Sequence, residues 1–322
     1  MTQISAFMFG PLALLIVGSP AAQTNYPEKP IRMVVGFPPG SPTDTVARLF
    51  GQKFTEAWGK PVLIDNITGA AGNIAADRVA KAAPDGYTLG LLAQGQLVIN
   101  PSLSKLAYDP VNDFAPVSQV SVSTNMLVVH NAVPAKNVQE LIKLARARPG
   151  ELTFASSGIG SPTHMAAELF KSVAGLDIRN IPYKGAPAAI PDLLGGRVTM
   201  MFGGTTAVLP LAREGKLRAL AVTSLSRSAA APELPTIAES GYPGFEFTNW
   251  SGLLAPAGTP AAIVGKLHLE TVKALALPDL RAKLTDSAVE VIGNSHEEFA
   301  AVIQSGIPKW ARVIKDAGIK LD

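Results

Sequence analysis

The 322-residue chain contains no cysteine, so it has no disulfide framework, no thiolate nucleophile and no cysteine metal site. It is also poor in charge: 28 Lys and Arg stand against 25 Asp and Glu, together 16% of the chain, and the basic residues are scattered. A net charge of +3 without a basic stripe excludes the electrostatic footprint of a nucleic-acid binder and steers anions only modestly. After residue 25 no run is long or apolar enough to span a bilayer. G-x-S-x-G, the Walker loop and H-E-x-x-H are all missing, and His130, His164, His268 and His296 lie far apart. No catalytic residue, no metal and no cofactor are expected.

What is present begins with a leader. Residues 4–17 are nearly all apolar, Gly18-Ser19-Pro20-Ala21-Ala22 breaks the run with small residues, and polar Gln23-Thr24-Asn25 follows. Residues 1–25 read as a secretory signal removed on export, since an anchor needs about 20 apolar residues. The mature protein is expected free in an exported aqueous compartment. With 47% hydrophobic residues, the chain can bury one large core or two moderate ones, and its length favours two.

Five residues, Gly40-Ser41-Pro42-Thr43-Asp44, recur as Gly160-Ser161-Pro162-Thr163-His164, changed only at the last position. Each copy lies between a strand-like and a helix-like run. In the first, 31–37 reads as a buried strand, and Val46, Leu49, Phe50, Phe54 and Trp58 mark one face of a helix. In the second, 152–155 is the strand, and Met165, Leu169 and Val173 fall at i, i+4 spacing. Ser is a preferred N-cap, Pro suits the first helical position, and Asp44 stands where a capping-box acid reaches back to the cap. The N–H groups of Thr43, Asp44 and Thr45 are then expected to lack helical partners and, with the positive end of the dipole, to favour an anion. A well-capped helix without a ligand is the plain alternative for either copy alone. Two copies after strands point to a ligand site at the carboxyl ends of the strands.

From Ile31 onward strand-like and helical segments alternate, the pattern of an α/β protein with largely parallel sheets. Residues 117–130 read as a long extended segment, interrupted at 121–125, that makes a first crossing between domains. Alternation resumes over 138–223, with a strand at 198–202 and a helix at 207–214. Residues 231–244 read as a loop with a short helix near Ile237, and 245–255 as the return crossing. The later helices then pack back on the first domain. The expected domains are 27–124 with 246–322, and 125–245: two lobes hinged on two crossing strands with a ligand cleft between them. A single large sheet or two rigidly packed domains are the alternatives.

Further strand-end loops on the same face, 65–73, 94–96, 183–187 and 203–206, offer amides and hydroxyls. The candidate ligand-binding residues are Pro39, Gly40, Ser41, Thr43 and Asp44; Gln94; Ser156, Ser157, Gly160, Ser161, Thr163 and His164; and Gly203 and Thr205. His164 either donates to a ligand carboxylate or bonds locally. Asp44 has a capping role and an i, i+4 pair with Arg48, which takes it away from general-base work.

Several runs carry a family resemblance: Tyr26-Pro27-Glu28-Lys29-Pro30-Ile31-Arg32, Phe37-Pro38-Pro39-Gly40 with Thr43-Asp44, Ala83-Pro84-Asp85-Gly86-Tyr87-Thr88-Leu89, Pro182-Tyr183-Lys184-Gly185, Lys216-Leu217-Arg218-Ala219-Leu220-Ala221-Val222-Thr223 and Gly252-Leu253-Leu254-Ala255-Pro256-Ala257-Gly258-Thr259-Pro260. Together they resemble the Bug family, the extracytoplasmic solute-binding receptors of tripartite tricarboxylate transporters. The resemblance spans the mature chain. It implies a two-lobed, type II-like periplasmic binding protein, expected as a monomer, that closes on a small carboxylate and presents it to membrane subunits without catalysis. The family holds the carboxylate at the loops matching 39–44 and 156–164, often with ordered waters. A ligand-sensing receptor for a membrane kinase and a secreted enzyme on the same fold are the competing readings. Three departures stand out: Pro42 replaces a possible N–H donor, Ile67-Thr68 replaces Arg-Pro, and Gly203 stands where many members have Asp. A neutral pocket, roomier in the second lobe, is expected, taking a carboxylate without an amino group, aromatic or bulky.

Overall fold

The computed structural model describes residues 25–286 and 289–319; the signal-like segment therefore lies outside the described residues. Strands β1 (Ile31–Val35), β2 (Val62–Asn66) and β3 (Thr88–Ala93) run parallel, with β1 in the middle. Helices α1 (Pro42–Trp58) and α2 (Asn73–Ala80) connect them. Strand β4 (Phe114–Val129) follows, then α3 (Val138–Ala147), β5 (Thr153–Ser156), α4 (Pro162–Ala174), β6 (Arg179–Pro182) and α5 (Ala186–Leu194). The chain continues through β7 (Met200–Gly204), α6 (Thr205–Arg213), β8 (Arg218–Val222) and β9 (Thr248–Pro256). It ends with α7 (Ala261–Ala276), α8 (Pro278–Asp286), β10 (Val289–Val291) and α9 (His296–Asp316).

The duplicated motif starts two helices in the same way. Ser41 and Ser161 are extended N-cap residues, each followed by a proline at the first helical position. Both helices also stop alike, at Gly59 and Gly175, each with φ of 63°. That left-handed conformation suits glycine, which has no Cβ to clash.

Strand β4 organises the molecule. Its first part, up to Thr124, pairs antiparallel with β9 and, at Ser121 to Ser123, with β10. From Asn125 onward it pairs instead with β7 and β8. The hydrogen-bonded path is one ten-stranded sheet, β2-β1-β3-β9-β4-β7-β5-β6 with β8 and β10 on β4, yet its two halves face different helices. The interruption expected at 121–125 is absent: the polar run continues the strand through the change of partners. Bulges near Pro116 and Gln119 bend it before that point. The short helix expected near Ile237 is a pair of turns, closed by Ser240 N–H bonding the carbonyls of Thr236 and Ile237.

One core packs α1, α7 and α8 on the first half through Phe50, Phe54, Met33, Leu91 and Leu267. A second fills the far half around Met201, Leu193 and Val208. The largest runs behind the crossing strands and includes residues of both halves. There α9 packs on β4 and also reaches α4 across the hinge, not only the first half as expected. Its Trp310 meets Phe247 edge-on at 5.4 Å, and about three turns earlier its buried Phe299 meets Trp250 edge-on at 5.5 Å. Truncating a buried aromatic of this kind costs about 3–5 kcal/mol, so the Trp310 contact is a substantial anchor for α9 at the base of the return strand β9.

Candidate functional site

The starts of three helices meet at a cleft of about 420 Å³ between the lobes. Gly40, Ser41, Pro42 and Thr43 enter from α1, Gly204, Thr205 and Thr206 from α6, and Pro162 from α4. Ser123 and Thr124 of β4 and Asn249 of β9 line the hinge side. Phe37, Val46, Leu284 and Val289 supply apolar wall on the first lobe, and none of the described lining residues carries a charge.

At α1, Ser41 does more than expected. Its Oγ accepts from the Asp44 N–H at 3.3 Å and its carbonyl from the Thr45 N–H at 2.9 Å. Those two amides are thus engaged, because an N-cap residue serves both positions. Thr43 N–H keeps no acceptor in the capping loop. Helix α6 begins two residues earlier than its sequence suggests, at Thr205, with Gly204 as an N-cap that has no side chain to offer. Its first-turn amides, from Thr205 and Thr206, have neither an intrahelical acceptor nor a side-chain cap. The positive ends of two helix dipoles therefore face one uncharged cleft from opposite lobes.

The second motif copy repeats the geometry but turns it inward. His164 Nδ1 accepts from Gly160 N–H at 3.0 Å, as Asp44 Oδ2 accepts from Gly40 N–H at 2.8 Å. The acceptor role leaves the His164 proton on Nε2, which sits 3.6 Å from Glu168 Oε1. Nδ1 is engaged and Nε2 faces Glu168 inside the lobe, and His164 does not line the cleft. Ser157 N–H donates to Thr163 Oγ1 at 2.7 Å, and Thr163 Oγ1 lies 3.0 Å from Ser161 Oγ. Ser156 is fully buried and its Oγ has no partner among the described residues. Of this copy only Pro162 lines the cleft.

The other sequence candidates divide as follows. Gly40, Ser41, Thr43 and Thr205 line the cleft; Pro39 is exposed at the loop tip, and Asp44 is buried beneath it. Asp44 bonds the Gly40 amide, one residue short of a capping box, because Ser41 N–H is already given to the Pro38 carbonyl. Gln94 lies on the reverse side of the crossing strands, donating to the Thr248 carbonyl at 2.8 Å and accepting from Trp250 Nε1 at 3.3 Å. Gly203 is buried in β7 and gives no extra room: a Cβ there would fall 2.3 Å from Val208 Cγ1. Loops 65–73, 94–96 and 183–187 do not line the cleft. Thr206 belongs to the loop 203–206 already singled out; the residues missed are Ser123, Thr124 and Asn249. The hydroxyl-rich stretch at 121–124 is the sequence signal for the first two, and Asn249 has none.

Residues 46–319 match the family described as tripartite tricarboxylate transporter family receptor. Protein BugT of Bordetella pertussis is 37% identical over 325 residues, all of this chain and 99% of that protein. The chain belongs to this family. Rpa4515 of R. palustris, solved with adipate, superposes with a TM-score of 0.77 at 38% identity, over 92% of this chain and 99% of the other. MatC from Rhodopseudomonas palustris with bound malate gives 0.74 at 34% identity, over 90% and 100%. The receptor thus has the two-lobed α/β fold of the periplasmic binding proteins, and its family and neighbours are binding receptors, not enzymes. No helix among its described residues is long and apolar enough to cross a membrane.

In this receptor Asp44 is the keystone of the first loop. Burial pushes its carboxyl up, but bonds from Arg48, the Gly40 amide and Asn66 prevail and hold it below its ordinary value of 3.8. Asn66 in turn donates to the Phe37 carbonyl, tying β2 to the loop. A depressed folded value means that this stabilisation is full above pH 3.8 and is lost as pH falls through the folded value. Unfolding free energy measured from about pH 6 down to about pH 2 is expected to fall less steeply for Asp44→Asn than for the parent. Identical slopes would show that Asp44 gains nothing from this loop.

Proposed function

We propose that this chain is a periplasmic receptor that captures a small carboxylate in the interdomain cleft and delivers it to the membrane subunits of a tripartite tricarboxylate transporter. The observation that carries the reading is the pair of opposed helix starts, α1 at Thr43 and α6 at Thr205 and Thr206, on a cleft without charge. Amides at helix ends hold a carboxylate without burying a cation, which avoids the desolvation cost of an ion pair. Family membership and the adipate- and malate-bound neighbours support the same ligand class.

In this reading the lobes are residues 27–124 with 246–322, and 125–245, supported by the change of β4 partners between Thr124 and Asn125. Residues 1–25 direct export to the periplasm, and the mature protein acts as a monomer. The absence of any acid among the described lining residues favours a carboxylate without an amino group.

A thermal-shift screen of residues 26–322 against di- and tricarboxylates, aromatic carboxylates, amino acids and uncharged amides tests this. A ligand at about 100 times its dissociation constant adds roughly 2.7 kcal/mol to folding stability. One carboxylate class is expected to raise the midpoint, with no shift from its full amide. Tight binding of aspartate or glutamate would overturn the preference for ligands without an amino group, and no shift from any carboxylate would overturn the function.

A further inference from the structure

Beside the main cleft, a side pocket of about 60 Å³ runs toward the hinge, sharing Pro42, Thr43, Val46, Ser123, Asn249 and Val289 with it. Besides Thr43 at its mouth to the main cleft, its polar lining comes from two cross-strand pairs on one face of the sheet, Ser121 opposite Ser251 and Ser123 opposite Asn249. Ser121 and Ser251 are each 5% exposed, and their Oγ atoms are 2.5 Å apart. One hydroxyl of such a pair donates to the other, and the second proton then needs an acceptor. Neither serine has a side-chain bond to any other described group, so one donor is left over in a buried pocket.

Asn249 supplies the opposite polarity. Asn125 Nδ2 donates to the Phe202 carbonyl at 2.9 Å, which leaves Asn125 Oδ1 to accept from Asn249 Nδ2 at 2.7 Å. The chain of bonds fixes the Asn249 amide, whose Oδ1 has no partner among the described residues. A spare hydroxyl donor and a spare amide acceptor thus stand on the floor, with no described charge beside them. The walls, Pro42, Val46 and Val289, are apolar. The volume admits a few heavy atoms, since one water needs about 10–15 Å³ on this measure.

We infer that Ser121, Ser251 and Asn249 form a second, charge-free polar subsite that takes the uncharged end of the ligand, a hydroxyl or a carboxamide. The inference rests on the carboxylate reading above, with the carboxylate held at the α1 and α6 helix starts. A hydroxyl or carboxamide both accepts and donates, matching the serine donor and the Asn249 oxygen. A second carboxylate only accepts, and would meet that oxygen without a cation to offset it.

Titration calorimetry on the receptor with straight-chain acids of four to eight carbons tests this, comparing each plain monocarboxylate with its ω-hydroxy, ω-carboxamide and dicarboxylate counterparts. The hydroxy acid or the mono-amide is expected to bind at least tenfold more tightly than the plain acid. Ser121→Ala with Ser251→Ala is expected to shrink that advantage to about threefold or less, while the plain acid binds as before. The subsite fails if the dicarboxylate binds most tightly, if a polar end makes no difference, or if the double variant keeps the full preference. Should no carboxylate bind to folded protein, the carboxylate reading falls and this inference with it, an outcome distinct from carboxylates that bind without regard to their far end.

Discussion

Thr43→Glu is expected to weaken carboxylate binding severely while leaving the receptor folded. Thr43 is the second residue of α1, lines the cleft and has no acceptor for its amide in the capping loop. An acid in the first turn of a helix is favourable for the helix by about 0.3–1 kcal/mol, so the substitution does not threaten the fold. Toward an anion the effect reverses. Two negative charges about 4 Å apart at an effective dielectric of about 20 repel by roughly 4 kcal/mol. Glutamate can swing partly away, so a loss of about 100-fold in affinity is the expected result, with the melting temperature of the free protein within a few degrees of the parent. Thr43→Gln, of the same shape without the charge, separates repulsion from crowding and is expected to stay within about tenfold of the parent. Unchanged affinity in the glutamate variant, measured by calorimetry with the best ligand of the screen, would falsify the assignment of the α1 start to the carboxylate.

How far this site could be read from residues alone depends on the kind of signal. The α1 start was legible because Ser41, Pro42 and Asp44 each have a known place in a capped helix, and a strand precedes them. The α6 start was not, because Gly204 offers no capping side chain and Thr205 and Thr206 are poor helix formers, so its two cleft amides passed for a loop. The crossing strand raised the opposite difficulty. Ser121, Ser123 and Thr124 lack the apolar alternation of a half-buried strand, yet β4 stays extended through them, because these side chains face a polar cleft and a buried network. In that network Thr124 Oγ1 meets Thr223 Oγ1 at 3.1 Å, and Thr205 Oγ1 donates to the Thr124 carbonyl at 2.8 Å. Periodicity reports burial against apolar neighbours, not against hydroxyls. Gln94 lies away from this cleft for a simpler reason: it follows β3 at the start of a π-helical turn, Gly95–Ile99, which carries its side chain to the reverse face. The repeated motif at 160–164 illustrates the remaining limit. Sequence identity predicts the same cap, and the same cap forms, but which residues of the loop reach the cleft is decided by how α4 is set against β7 and α9.

Gly203 carries the second large effect, and it tests whether β7 needs a residue without a Cβ at that position. A Cβ built on Gly203 lies 2.3 Å from Val208 Cγ1 and 3.2 Å from Cγ2. The β7 backbone at Gly203 is therefore packed directly under a β-branched side chain of α6. Valine in a helix is held in one rotamer, so the contact cannot be relieved by a rotation. Gly203→Ala alone is expected to destabilise the receptor by about 3 kcal/mol, at the upper end for overpacking. In a Val208→Ala background the same change is expected to cost less than about 1 kcal/mol, a coupling of about 2 kcal/mol in a denaturant-unfolding double-mutant cycle. Additive costs would mean that the strand and helix adjust independently and that Gly203 is no packing constraint. The coupled outcome carries a consequence for the cleft. Gly203 and Val208 are then one unit that sets how closely α6 lies on β7, and with it where the Thr205 and Thr206 amides stand. Ligand affinity is therefore expected to fall in Gly203→Ala and to recover at least partly in the double variant, although neither residue lines the cleft.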